Sequence, residues 1–132
     1  METINSNDAP EAIGPYSQAI KLNNGMLFVS GQLPINPKTN LLVNDGIESE
    51  VHQIMQNIKS ILKKADLYLN NIVKASIFVK NLGDFDKINK VYGSYFKEDY
   101  FPARECVEVS KLPKNANIEI SVIAYKFNNN LL

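Results

Sequence analysis

At 132 residues, with 45% hydrophobic and 21% charged content, the chain has the length and composition of one globular domain with a core of its own. Fourteen basic residues balance fourteen acidic ones. The lack of a basic excess or stripe speaks against a dedicated nucleic-acid binder, while a neutral surface is compatible with self-association.

A single Cys excludes an internal disulfide and a Cys-based zinc site, and fits a reducing compartment. The opening METINSNDAP has neither the basic nor the apolar region of a secretory leader, and it is acidic and Arg-free, unlike a transit peptide. No apolar run approaches the roughly 20 residues of a membrane span. The expectation is a cytoplasmic protein with no membrane contact. Asn clusters at Asn23-Asn24, Asn70-Asn71 and Asn128 to Asn130 fall between patterned segments, where Asn favours turns.

In chain order, Ser17 to Leu22 and Met26 to Ser30 read as two strands joined by Asn23-Asn24-Gly25, a turn that tolerates positive φ. GQLPINPKTNLLVNDG follows, with two prolines and no period, and reads as a long surface excursion. From Glu48 to Leu67, Val51, Ile54, Met55, Ile58, Ile61, Leu62 and Ala65 recur at helical spacing. Acids at its start and Lys63-Lys64 at its end complement the helix dipole. Ile72 to Lys80 reads as a strand, and Asn81-Leu82-Gly83 as a turn. A second helix from Asp84 to about Lys97 places Phe85, Ile88, Tyr92, Tyr95 and Phe96 on one face, with Pro102 beyond its end. Strands Ala103 to Val109 and Asn117 to Phe127, joined through Pro113, complete the chain. The order β-β-α-β-α-β-β predicts a single α/β domain over residues 1–132, a mixed sheet with two helices on one face.

Strand alternation separates Ala103, Glu105, Val107 and Val109 from Arg104, Cys106, Glu108 and Ser110. Placing the valines against the helices leaves Arg104 and Cys106 on the uncovered face, where Glu119 of the last strand could join them. Arg104 is the one Arg among fourteen basic residues. On a strand, an Arg ordinarily serves a structural ion pair; a guanidinium also offers a planar fork that matches a carboxylate and that Lys cannot reproduce. Cys106 reads as a small hydrophobe lining a site, not as a nucleophile. Glu119 is either a solvated strand residue or an acid–base group. Tyr16 after Gly14-Pro15 could cap a turn, Ser30 could end a strand, and Asn89 could be an ordinary helix residue. His52, the sole His, reads as a solvated helix residue, and with no second His a metal site lacks support. A sheet with one bare, partly apolar face is expected to meet a second copy, with polar clefts at the joins.

Several stretches together resemble the RidA family, also called YjgF, the imine deaminases. They are PARECVEVSKLPKNANIEI (Pro102 to Ile120), Ala12-Ile13-Gly14-Pro15-Tyr16-Ser17-Gln18, Val29-Ser30-Gly31-Gln32 and Pro37-Lys38-Thr39. Ile72-Val73-Lys74, Phe78-Val79-Lys80, Asp84-Phe85 and Asn89 complete the set. The matches run from residue 8 to about 126 in the family's order. The resemblance implies a chorismate-mutase-like (YjgF-type) fold assembled as a homotrimer with clefts between neighbours. It implies hydrolysis of reactive enamines and imines, such as 2-aminoacrylate and 2-iminobutanoate, to 2-keto acids and ammonium, with no cofactor or metal. By position, Arg104 matches the carboxylate-binding Arg, Cys106 the Cys beside it and Glu119 the water-positioning Glu; Tyr16, Ser30, Gly31 and Asn89 match other cleft positions. Glu105 departs from the small or apolar residue usual there and is expected to point away from Arg104.

Two other classes compete. Some family members have been described as ribonucleases or translation inhibitors, which neutral charge and a single His make weaker here. A non-enzymatic carboxylate sensor or chaperone-like trimer would keep Arg104 but need no water-positioning Glu119.

Overall fold

The computed structural model describes residues 1–97 and 99–127, so the expected turn at Asn128 to Asn130 lies outside the described residues. Near the N-terminus, where no element is expected from the sequence, three residues form strand β1 (Glu2–Ile4), paired antiparallel with β2 (Ala19–Lys21). The β2–β3 hairpin forms at the expected turn, with β3 at Met26–Gln32. Gly25 takes φ 94°, and Asn24 Oδ1 accepts the Met26 N–H at 3.1 Å.

The segment after β3 is not the structureless excursion expected from its lack of period. It folds into a two-stranded ribbon, β4 (Ile35–Asn36) and β5 (Leu41–Leu42), each too short for alternation to register. Asn36 closes its turn, the carbonyl taking the Asn40 N–H and the side chain the Lys38 N–H at 2.8 and 2.9 Å. The ribbon buries Leu33 and Ile35 beside Ala116, and Asn57 Nδ2 ties it to the first helix through Ile35 O at 2.9 Å.

That helix, α1 (Ile47–Lys64), buries Val51, Ile54, Met55, Ile58, Ile61 and Leu62. It stops three residues before the apolar pattern does. Asp66 turns left-handed at φ 61°, the Leu67 N–H returns to Leu62 O at 2.9 Å, and the Asp66 N–H returns to Lys63 O at 3.0 Å. This is a Schellman closure with Asp where Gly is usual, and buried Leu67 folds back under it. Then come β6 (Ile72–Val79), α2 (Phe85–Ser94), β7 (Ala103–Glu108) and β8 (Ile118–Tyr125).

The main sheet has the order β1-β2-β3-β8-β6-β7. β6 and β7 are parallel and every other neighbouring pair is antiparallel; α2 supplies the crossover that parallel pairing requires. Both helices cover one face. Leu27, Val29, Ala75, Ile77, Val79, Ile118, Ile120 and Val122 of the strands pack there against α1 and against Ile88, Val91 and Tyr92 of α2. The mixed sheet with two helices on one face is as the sequence leads one to expect. The opposite face presents Phe28 (40% exposed), Phe78, Val107 (41% exposed), Glu119 and Ile123.

One face assignment is reversed. Register pairs Arg104 with Ala75 and Cys106 with Ile77, and both β6 partners are fully buried beneath the helices. Arg104 and Cys106 therefore lie on the helix side, while Glu105 and Val107 lie on the bare side with Ser76 and Phe78. The valines-inward rule fails because β7 is an edge strand and the bare face is itself partly apolar.

A buried acid sits in the first turn of α1. Glu50 is 4% exposed, and its Oε1 accepts the Asn117 Nδ2–H at 2.9 Å. Burial lifts its pKa above the ordinary 4.5, the Asn117 bond opposes the rise and the nearby Asp84 charge adds to it. The folded state thus holds this proton more tightly than the unfolded one. The associated stability is full below the unfolded pKa and is lost as pH rises through the folded pKa. Glu50→Gln keeps the acceptor and removes the charge. Its melting temperature at pH 7 should exceed the wild-type value by a few degrees, with the gain vanishing near about pH 4. Calorimetry across that range checks this; an equal or lower value at pH 7 is the contrary result.

Candidate functional site

Between Val29↔Val122 and Gln32↔Ile120, two residues of β3, Ser30 and Gly31, oppose one of β8. This bulge re-aims the backbone at the sheet's bare face. It carries Gly31 so close to Glu119 that an added Cβ would lie 2.7 Å from the Glu119 Cδ. Glycine is needed here for approach, since Gly31 is not among the positive-φ residues. Ser30 donates its hydroxyl to Ser17 O at 2.6 Å, and its N–H bonds Gln18 O at 2.9 Å, anchoring the segment that carries Tyr16. The Tyr16 hydroxyl accepts the Ile13 N–H at 3.2 Å and keeps its own proton available for donation.

Together Tyr16, Ser30, Gly31 and Glu119 line a cavity of about 370 Å³ whose apolar walls are Ile13, Leu33 and Pro113. Glu119 makes no hydrogen bond or ion pair among the described residues, and burial lifts its carboxyl above the ordinary 4.5. Such a group exchanges a proton nearer neutrality than an exposed glutamate does, as acid–base work requires. Larger hollows of about 700 and 990 Å³ contain neither Arg104 nor Glu119, although the first shares Tyr16 with this cavity. The site is therefore placed by its chemistry, not by size.

The other sequence-predicted residues gather on the opposite face. The Arg104 guanidinium lies over the Phe85 ring at 5.6 Å and the Tyr92 ring at 5.1 Å, both from α2. It has no carboxylate partner among the described residues. Cys106, one alternation further along β7, packs against the core; burial raises its pKa while the Arg104 charge opposes the rise, so the thiol form is favoured. Asn89 lies between Phe85 and Tyr92 along α2, and its Oδ1 is buried without a partner.

The single chain thus does not bring Glu119 to Arg104's side, against the expectation from alternation. Glu119 shares the Phe78–Val107 rung on the bare face, whereas Arg104 shares the Ala75–Val122 rung on the helix face. Three residues along β7 and the thickness of the sheet separate the two groups, roughly 10 Å along the strand alone. Within one chain the candidate residues therefore fall into two groups on opposite faces of the sheet.

His52 is exposed on α1, as expected, and also makes a contact with the end of α2. Its Nδ1 and the Tyr95 hydroxyl are 2.8 Å apart, and Gln56 Nε2 donates to the same hydroxyl at 3.2 Å, joining α1 to the end of α2. Among the described residues no cluster of three or more His, Cys, Asp or Glu could hold a metal, and no helix is long and apolar enough to cross a membrane. Sequence reasoning missed Phe85 and Tyr92 as the seat of Arg104, although their seven-residue spacing on one face of α2 was the available signal. It also missed the walls Leu33 and Pro113, which only the tertiary fold brings to Glu119.

Comparison with known proteins follows the same lines. The sequence model of the family described as Endoribonuclease L-PSP matches residues 6–126. The Escherichia coli 2-iminobutanoate/2-iminopropanoate deaminase is 45% identical over 127 residues, covering 95% of this chain and 98% of that protein. A Rid-family protein of unknown function from Yersinia pestis superposes with TM-score 0.91 at 48% identity, covering 95% of this chain and 98% of that one. E. coli TdcF with bound serine superposes with TM-score 0.91 at 37% identity, covering 96% and 100%. With sequence and fold both shared along nearly the whole length, the chain belongs to the RidA (YjgF-type) family.

Proposed function

We propose that the protein is a hydrolytic deaminase of small 2-imino and enamine acids, acting as a homotrimer. In each cleft, Arg104, Cys106 and Asn89 of one copy would face Tyr16, Ser30, Gly31 and Glu119 of its neighbour. The observation that carries this reading is the division of the site: a guanidinium with no carboxylate partner at the sheet's edge, and a desolvated carboxylate in a cavity on the other face. Neither half suffices alone. The bare face around Phe28 and Val107, each about two-fifths exposed, gives a second copy an apolar surface to cover. The deaminase name of the E. coli relative and the serine bound by TdcF, a small molecule with a carboxylate, support the same substrate class.

The chemistry follows from these groups. Arg104 holds the substrate carboxylate through paired N–H donors, which fixes C2 of the imine. Glu119, ionised, takes a proton from water as the oxygen bonds to C2 and the C=N π pair moves to nitrogen, and it passes that proton to the nitrogen. Glu119 then transfers the hydroxyl proton of the resulting carbinolamine to its amino nitrogen, so that the C2–N bond breaks, ammonia leaves and the C2=O bond forms. The sum is 2-iminobutanoate plus water giving 2-ketobutyrate plus ammonia, or pyruvate plus ammonia from 2-aminoacrylate through its imine. No metal, cofactor or covalent enzyme intermediate is required. Tyr16 can donate its hydroxyl proton to the cleft; the Ser30 proton is already committed to Ser17 O.

The ribonuclease implied by the family description finds less support in this chain. Its formal net charge is zero, and its one His is engaged with Tyr95.

Arg104→Ala should raise KM for 2-iminobutanoate generated in situ by about 10–100-fold, and Arg104→Lys should recover part of that loss. Ammonium release timed against the uncatalysed reaction checks both; wild-type protein that fails to accelerate release sinks the enzyme reading. Glu119→Gln should lower kcat by about 10²–10⁴-fold while preserving 2-ketobutyrate binding. The wild-type acid limb should lie above the ordinary glutamate pKa, because activity is lost as pH falls through a raised pKa. That limb should be absent from the residual activity of the variant. Gly31→Ala should leave the fold intact, since the flexible Glu119 side chain can move aside, yet lower activity by displacing that carboxylate. A melting temperature near wild type together with full activity would count against this role for Gly31.

A further inference from the structure

Resting on the proposed carboxylate-binding role of Arg104, we propose that Tyr92 is a positioning residue for its guanidinium, with a buried hydroxyl that gains its hydrogen-bond partner when an anion docks. Phe85 and Tyr92 are seven residues apart on α2, two helical turns, and present their rings beneath Arg104. Ring faces attract the guanidinium without consuming its in-plane N–H donors. A carboxylate partner would have occupied those donors, whereas an aromatic seat holds the cation and leaves the fork open.

The second observation is independent of the first. Among the described residues, two buried side-chain polar atoms have no hydrogen-bond partner, the Tyr92 hydroxyl and Asn89 Oδ1. They lie one helical turn apart, on the element that seats Arg104. Tyr92 is 4% exposed, so it is largely withdrawn from bulk solvent. Unpaired buried polar atoms are scarce in folded proteins and costly where they occur, and two on one turn call for a common cause. Burial, opposed by the Arg104 charge and reinforced by Tyr100, pushes the Tyr92 pKa up to about 12, so the hydroxyl keeps its proton and can donate to an anion.

A purely structural hydroxyl and a positioning one respond oppositely to removal. Tyr92→Phe keeps the ring and deletes the orphaned group, so its melting temperature should equal or exceed wild type. Its dissociation constant for 2-oxobutanoate, measured by calorimetric titration, should weaken by about 3–10-fold, with KM for the imine rising alike and kcat changing less. Phe85→Leu removes the more exposed ring and should weaken 2-oxobutanoate binding by about 2–5-fold; it reads the aromatic seat without disturbing the core. If wild type hydrolyses the imine while Tyr92→Phe matches it in both dissociation constant and KM, the positioning role is overturned and the deaminase reading stands. If wild type binds 2-oxobutanoate without turning over imine, yet Tyr92→Phe binds more weakly, the positioning role stands and the deaminase reading falls. Absence of binding by wild type overturns the positioning role as well.

Discussion

The arrangement of the site depends on the pairing of β6 with its two neighbours. β6 is bonded in parallel to β7 and antiparallel to β8, and its own alternation sorts every side chain across three strands. Ala75 and Ile77, small and branched, are driven under the helices, and their partners Arg104 and Cys106 go with them. Phe78 lies on the other face, and Glu119 and Val107 share its rung. A slip of one residue would move Arg104 to the bare face and withdraw Val107, so the core that fixes this register also fixes which group each face presents.

The two groups of candidate residues then receive opposite electrostatic treatment. Arg104 lies over two aromatic rings that attract a cation, and it has no carboxylate partner among the described residues. Glu119 is held where its charge is disfavoured, with burial as the cause and no ion-pair partner among the described residues. One group is a cation without a carboxylate partner among the described residues, and the other a carboxyl whose pKa burial raises. Bringing them together within a single chain would let them pair, lowering the carboxylate pKa and occupying the fork. Division across the sheet keeps the two groups from pairing within one chain.

What the sequence made legible follows from physical range. α1 was readable because seven apolar positions repeat over about four turns, and only its last turn was misjudged: nothing in the pattern shows that Asp66 will adopt a left-handed conformation. β1, β4 and β5 were not readable, since two or three residues cannot display alternation and their pairing comes from partners elsewhere in the fold. The face of β7 was misread for a different reason. At an edge strand over a sheet that is apolar on both sides, hydrophobicity no longer distinguishes inside from outside, and only the register with Ala75 and Ile77 does. The site residues themselves came from family resemblance; their partition between two faces is a property of pairing, which no local motif contains.

Glu105 shows how that partition protects the site. It is the sequence neighbour of Arg104, and a carboxylate so near a guanidinium would ordinarily quench it. On a strand, successive side chains leave by opposite faces, so Glu105 emerges on the bare side. There its two oxygens are engaged by Lys74 Nζ at 2.8 Å and Ser76 Oγ at 2.6 Å, and these bonds, led by Lys74, hold its carboxyl below the ordinary value. The pair is largely solvated and contributes little to stability on its own. Its consequence is positional: the acid beside Arg104 in sequence is bound to a lysine and a serine across the sheet, and the guanidinium keeps its donors.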